Sequence, residues 1–129
     1  MKPGSELVPF VIEASPQSMR EWSVFLADPN QIHLEVEAVK ALGLGDRLIN
    51  QGPANLAYVM NLLAANFPGM EIEAIDCRFT GNVFAGDRCI ANGLVTEVSD
   101  ERIICEVWLD IEGAGKAITG TARLRRKPA

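Results

Sequence analysis

Residues 51–69 read QGPANLAYVMNLLAANFPG, and the fold depends on how this stretch is read. Pro53 stands where a first helical turn accepts proline, because that N–H would be unpaired anyway. Phe67-Pro68-Gly69 closes the run with a stop signal. Between them Leu56, Val59, Met60, Leu63 and Phe67 recur at helical spacing. Ala57, Leu62, Ala64 and Ala65 fill most of the other faces, and Asn55, Asn61 and Asn66 are the only strongly polar side chains. A helix apolar nearly all round is a buried helix, and this one is too short and too interrupted to cross a bilayer. Beyond Gly69 the chain reads as strand after strand. The expectation is a helix inside a sheet.

Downstream, Glu71–Thr80 alternates, with Ile75, Cys77 and Phe79 on one face. Asn82–Asp87 is a turn. Arg88–Val98 and Arg102–Glu112 are long strands joined by Ser99-Asp100-Glu101, and Ile103, Cys105, Val107, Leu109 and Ile111 share a face of the second. In the last strand Ile118, Gly120, Ala122 and Leu124 alternate with Thr119, Thr121, Arg123 and Arg125. Short turns between half-buried strands suit an antiparallel meander. Upstream, Leu7–Glu13 is rich in strand formers, with Pro9 suiting an edge or a late start. Ser15-Pro16 caps and opens a helix running to about Ala27, Pro29 forbids its continuation, and Val36–Leu42 is a short helix ended by glycines.

Composition bounds the function. The 129 residues are 48% hydrophobic, enough for a real core, and fit one domain spanning 1–129. A formal net charge of −5 argues against a nucleic-acid partner, which calls for a basic stripe. Cys77, Cys89 and Cys105 are odd in number, lie in apolar strands and form no CxxC pair, so they read as buried reduced thiols, which points to the cytoplasm and away from a metal site. No signal peptide or membrane span is evident, and Met1–Glu6 and Lys127–Ala129 are the segments expected to be loose.

Two local motifs in this element order resemble the MaoC-like hot-dog family, specifically the (R)-specific enoyl-CoA hydratases. The first is a D-x-N-P-[IL]-H loop, here Asp28-Pro29-Asn30-Gln31-Ile32-His33. The second is an [IV]-x-H-G turn into the central helix, here Ile49-Asn50-Gln51-Gly52. A weaker third trace, R-F-x-x-P-V-F-x-G-D, is Arg78 to Asp87. Gln31, Gln51 and Asn82 depart from the pattern, and Pro53 comes directly after the glycine; the acid, the histidine and the glycine remain. The resemblance implies an α+β hot-dog fold, a curved antiparallel sheet wrapped around a long central helix. It also implies reversible addition of water to a (2E)-enoyl-CoA, giving a (3R)-3-hydroxyacyl-CoA, without metal or other cofactor. The partners it implies are an acyl-CoA or acyl-carrier-protein thioester and a second hot-dog subunit, as homodimer or heteromer, with no nucleic acid and no membrane.

The residues suit that chemistry on physical grounds. Hydration needs a group to take a proton from water, a proton delivered to C2, and stabilisation of the thioester oxygen. Asp28 and His33 lie in one short loop and can converge on one water. Gly52 offers an N–H at a helix N-terminus with no Cβ in the way, whereas Pro53 offers none. Each residue has a plainer role as well. Asp28 is also a turn former and His33 a lone structural histidine; Asn30 either shapes the loop or touches substrate; Gln51 either caps the helix or faces substrate. The basic end Arg123–Lys127 either meets CoA phosphates or is a solvated tail. Ala54, Ala57, Ala64 and Ala65 either leave room for a bulky acyl group or let strands approach closely. Two other functions compete: a hot-dog thioesterase, against which stands the lack of an acid from Gly52 to Asn66, and a non-catalytic acyl-binding subunit of a heteromeric hydratase.

Overall fold

The computed structural model describes residues 1–128, so Ala129 of the expected loose tail lies outside the described residues. In chain order the elements are β1 (Phe10–Glu13), α1 (Pro16–Leu26), a 3-10 turn (Gln31–His33), α2 (Val36–Ala41) and α3 (Gly52–Asn66). The strands β2 (Met70–Phe79), β3 (Arg88–Val98), β4 (Arg102–Ile111) and β5 (Gly115–Arg126) complete the chain. Every pairing is antiparallel, in the order β1-β3-β4-β5-β2. Helix α3 packs against β1, β2, β3 and β4, that is, both edges and the middle of the sheet, which only a curled sheet permits. The α+β hot-dog architecture is therefore present.

Local sequence explains the elements. Ser15 caps α1 by accepting from Ser18 N–H at 3.1 Å, and Pro16 occupies its first turn. The five apolar residues Ile103 to Ile111 on the alternate positions of β4 are all buried, as the period of two requires. In β5, Ile118, Ala122 and Leu124 do the same. Glycine is needed where strands crowd. A Cβ at Gly120 would fall 2.5 Å from the Asp76 carbonyl oxygen and 2.6 Å from Cys77 Cβ.

Two expectations need correction. Helix α3 buries one side only: Ala54, Asn55, Tyr58, Val59, Leu62 and Leu63 face the sheet, while Pro53, Met60, Asn61, Ala64 and Ala65 lie on the side left partly or fully exposed. The apolar composition of α3 therefore did not translate into burial on every face within this chain. Ala64 and Ala65 drop out of the alanine argument because they are exposed, whereas Ala54 is buried and Ala57 half-buried. The second correction concerns Met1–Glu6. Gly4 N–H donates to Val95 O at 2.8 Å, Val95 N–H donates to Ser5 O at 2.9 Å, and Glu6 bridges Leu94, so the segment is tied to β3. Asn66 fixes the next residues, accepting from Val8 N–H at 2.8 Å and donating to Val8 O at 2.9 Å.

All three cysteines are free; Cys89 and Cys105 are buried as expected, whereas Cys77 on the edge strand β2 is half-buried. Burial pushes the Cys89 and Cys105 thiols up to about 11, with Asp87 adding to the effect at Cys89. Burial and Asp76 raise Cys77 as well. No helix among the described residues is long and apolar enough to cross a membrane.

This packing has two measurable outcomes. Gly120→Ala forces β2 and β5 apart and should cost about 1–3 kcal/mol, read as a lower urea midpoint at unchanged slope; an unchanged midpoint would mean the strands do not meet this closely. With an alkylating reagent at pH 8, only ~0.1% of a thiol of pKa about 11 is thiolate. Mass spectrometry should therefore find Cys77 labelled first, and Cys89 and Cys105 labelled only after denaturation.

Candidate active site

The acid and the imidazole come together at the C-terminal end of α1. Ala27 terminates that helix in the left-handed conformation, φ 50°, with Asp28 N–H donating back to Ser23 O at 3.0 Å. This is a helix-ending turn that glycine usually makes; here it bends the chain so that Asp28 starts a tight loop. Asp28 divides its carboxylate. Oδ1 accepts from Asn30 N–H at 3.1 Å, and Oδ2 lies 3.4 Å from His33 Nε2. It is thus a turn former and a partner of the imidazole at once.

His33 is held from behind. Its Nδ1 lies 2.6 Å from Ile49 O, a carbonyl that can only accept, so Nδ1 carries the proton. In the neutral ring Nε2 is then a bare acceptor aimed at a carboxylate. Two acceptors 3.4 Å apart are complementary to a proton donor placed between them. The His33 side chain is 9% exposed and that of Asp28 34%, so the pair opens to solvent on the Asp28 side.

The remaining candidates divide. Asn30 shapes the loop: its Oδ1 accepts from Ile32 N–H at 3.2 Å and caps the 3-10 turn. Gln31, in the family's proline position, donates to Pro29 O at 3.1 Å. Gln51 has neither role expected of it. It makes no capping bond, and it is 1% exposed, its side chain turned into the protein toward α1. There Nε2 donates to Met19 O at 2.7 Å and to Ser23 Oγ at 3.1 Å. Gly52 opens α3, three residues after the carbonyl that His33 holds; its N–H has no hydrogen-bond partner among the described residues. A Cβ at Gly52 would meet only the ring of Phe79, at an ordinary 3.7 Å, so nothing in the fold requires glycine here. The glycine sets the helix N-terminus beside the ring of Phe79, which is 54% exposed.

Sequence reasoning missed Asn50. Its Nδ2 donates to Asn55 Oδ1 at 2.7 Å and to the Tyr58 hydroxyl at 3.1 Å, all three side chains being buried. Burial pushes the Tyr58 phenol above its ordinary value, partly offset by that bond from Asn50, so Tyr58 is neutral. The carbonyl oxygens Asn50 Oδ1 and Gln51 Oε1 are buried and unpartnered, a cost of about 1–3 kcal/mol each when no water reaches them. The signal available was three amides, Asn50, Gln51 and Asn55, within six residues of an apolar stretch. The third sequence trace is a buttress for the same segment. Asn50 N–H donates to Val83 O at 2.7 Å, Ile49 bridges Phe84, and Asp87 Oδ2 accepts from Phe84 N–H at 2.8 Å.

The basic end plays no part here. It lies at the other end of α3, where Lys127 N–H reaches Gly69 O. Arg123 pairs with Glu73, Arg125 with Glu71, and Arg126 donates to Asp100 O. Burial alone would raise the Glu73 carboxyl, but Arg102 and Arg123 hold it below its usual range.

A curled antiparallel sheet wrapped around one helix defines a hot-dog protein, here with an acid–imidazole pair bonded to the turn that opens that helix. More narrowly, the chain belongs to the MaoC-like dehydratase family, since residues 6–110 match the MaoC like domain. Solved structures agree. The (R)-hydratase from A. caviae involved in PHA biosynthesis superposes with a TM-score of 0.89 at 19% identity, over 98% of both chains. R-hydratase PhaJ1 from Pseudomonas aeruginosa gives 0.88 at 17% identity, over 100% of this chain and 84% of that one. A chain of the ChsH1-ChsH2 complex from Mycobacterium tuberculosis gives 0.86 at 20% identity, over 97% and 98%. At such identities the likeness is one of fold. A search of curated sequences returned no match.

Proposed function

We propose that the protein is a hydratase that adds water reversibly across the double bond of a (2E)-enoyl-CoA to give the (3R)-3-hydroxyacyl-CoA. The observation that carries this reading is the 3.4 Å approach of His33 Nε2 to Asp28 Oδ2, with Nδ1 committed to Ile49 O. A water between the two acceptors donates one proton to each, which aims its oxygen lone pair outward at C3 of the substrate. As the C–O bond forms, one of the pair takes the water proton, and a proton is returned to C2 from the same centre. The charge building on the thioester oxygen is met by the Gly52 N–H at the positive end of the α3 dipole. The lack of a Cβ at Gly52 lets the thioester oxygen come close to that N–H, with the exposed Phe79 ring beside it.

Membership of a dehydratase family and the absence of any Asp or Glu on α3 both speak against a thioesterase that would use an acid on that helix. The working unit is a dimer of hot-dog subunits. The exposed apolar side of α3 and the outer edge of β2, a long strand paired on one side only, are the surfaces a second subunit would cover. Heteromeric relatives in the comparison, the ChsH1-ChsH2 and HadBC complexes, make either a second copy or another chain a suitable partner. The substrate carrier, CoA or acyl carrier protein, binds as a thioester, with no further cofactor.

Incubated with crotonyl-CoA, the protein should lower the enoyl absorbance reversibly to an equilibrium, form the 3R product and release no free thiol. Asp28→Asn and His33→Ala should each lose about 10²–10⁴ in rate while staying folded, and the double variant should be little worse. Gly52→Ala should fold normally, because its methyl meets nothing closer than 3.7 Å, yet turn over more slowly. Near-normal hydration by both Asp28→Asn and His33→Ala would refute this site, and thiol release by the wild type would favour the thioesterase. In sedimentation, the protein should run as a dimer or larger, alone or with a co-purifying subunit; a fully active monomer would contradict the assembly.

A further inference from the structure

We infer that Gln51 and Asn50 are positioning residues for the Asp28–His33 pair, forming a buried amide clasp that sets the distance between acid and imidazole. The inference rests on the hydratase reading, in which that pair handles the water. Residues 49, 50 and 51 reach three different elements in succession. Ile49 N–H donates to Ile32 O at 3.0 Å, and its carbonyl accepts from His33 Nδ1 at 2.6 Å. Asn50 grips α3 through Asn55 and Tyr58. Gln51 grips α1 through Met19 O and Ser23 Oγ. Ser23 is also the residue whose backbone carbonyl holds Asp28 N–H. The imidazole therefore hangs from residue 49 and the carboxylate from the helix turn that residue 51 holds. Adjacent residues thus fix both halves of the pair, and the clasp ties the 23–28 turn to the 31–33 turn.

The unpartnered oxygens distinguish this role from simple packing. Gln51 Oε1 and Asn50 Oδ1 have no partner. A leucine at 51 would fill similar space without burying an unpaired carbonyl. Met19 lies inside α1, where its carbonyl already serves the helical ladder, and the Ser23 hydroxyl can turn back onto its own helix. Removing the Gln51 amide thus strands no buried group. A structural role predicts lost stability on substitution; a positioning role predicts lost turnover with stability kept.

The test is Gln51→Leu in the full-length protein. His33 is the only histidine, so its ring nitrogens give an unambiguous NMR signal. The variant should melt within about 3 °C of wild type, with kcat on crotonyl-CoA down about 10–100-fold and KM nearly constant. The Nε2 resonance, which faces Asp28, should shift, while the Nδ1–H signal bonded to Ile49 persists. Unchanged kcat with an unchanged Nε2 signal would overturn the clasp, as would a loss of activity that merely tracks a fall in melting temperature. Should Gln51→Leu fail to fold, Ser23→Ala, which removes one acceptor and no bulk, is read by the same three measurements. If the wild type hydrates nothing, the hydratase reading fails, and the Nε2 signal alone then decides whether Gln51 sets the geometry of the pair.

Discussion

The packing of one face of α3 against the concave side of the sheet is the constraint on which the other elements depend. Tyr58, Val59, Leu62 and Leu63 are buried there, and side chains of this size contribute roughly 1.5–3 kcal/mol each when fully removed from water. That is far more than the helix could gain from propensity with glycine and proline in its first turn. The sheet can wrap the helix because bulk is absent where strands crowd, at Gly120 against Cys77 and at Gly93, where a Cβ would fall 2.9 Å from Leu7 Cδ1. Once α3 is fixed, so is the segment that feeds it, and with that segment the carbonyl that holds His33.

This dependence explains how the site tolerates departures from the family's pattern. Gln31 in the proline position keeps the loop tight through its bond to Pro29 O, helped by Asn30 capping Ile32. Pro53 after the glycine removes a donor from the first turn of α3 but leaves the Gly52 N–H unpaired and available. Gln51 in the histidine position is still an N–H donor, directed at α1. Gln31 and Gln51 thus bond to Pro29 O and to α1, while Asp28 Oδ2 and His33 Nε2 still face each other.

Much of this was legible in the sequence for reasons of period. Strand faces come from alternation, so the buried set Ile103 to Ile111 could be read directly. The ends of α1 and α3 come from Ser15-Pro16 and from Phe67-Pro68-Gly69, which act within a few residues. The pairing of Asp28 with His33 was legible because one short loop contains both. Features that depend on distant partners could not be read. Gln51 turns inward because Ser23, 28 residues earlier, lies within reach once α1 has docked. The order of Met1–Glu6 depends on β3, which local composition does not reveal. The one-sided burial of α3 was missed because small and apolar residues such as Met60, Ala64 and Ala65 also occupy its exposed side.

That last point bears on how the activity is built. A monomer would leave Met60 43% exposed on α3, Phe79 54% exposed beside Gly52, and Phe25 81% exposed one turn before Asp28. These residues lie on α3, the edge strand β2 and α1 in turn. Scattered apolar exposure needs no explanation, but Phe79 stands beside Gly52 and Phe25 one turn before Asp28. An acid–imidazole pair acts best where bulk water is excluded and its hydrogen bonds are preorganised. The fold supplies the preorganisation from within one chain, through Ile49, Asn50 and Gln51. On the proposed hydratase reading, substrate and a second subunit would together exclude water from the Asp28 side, which is 34% exposed.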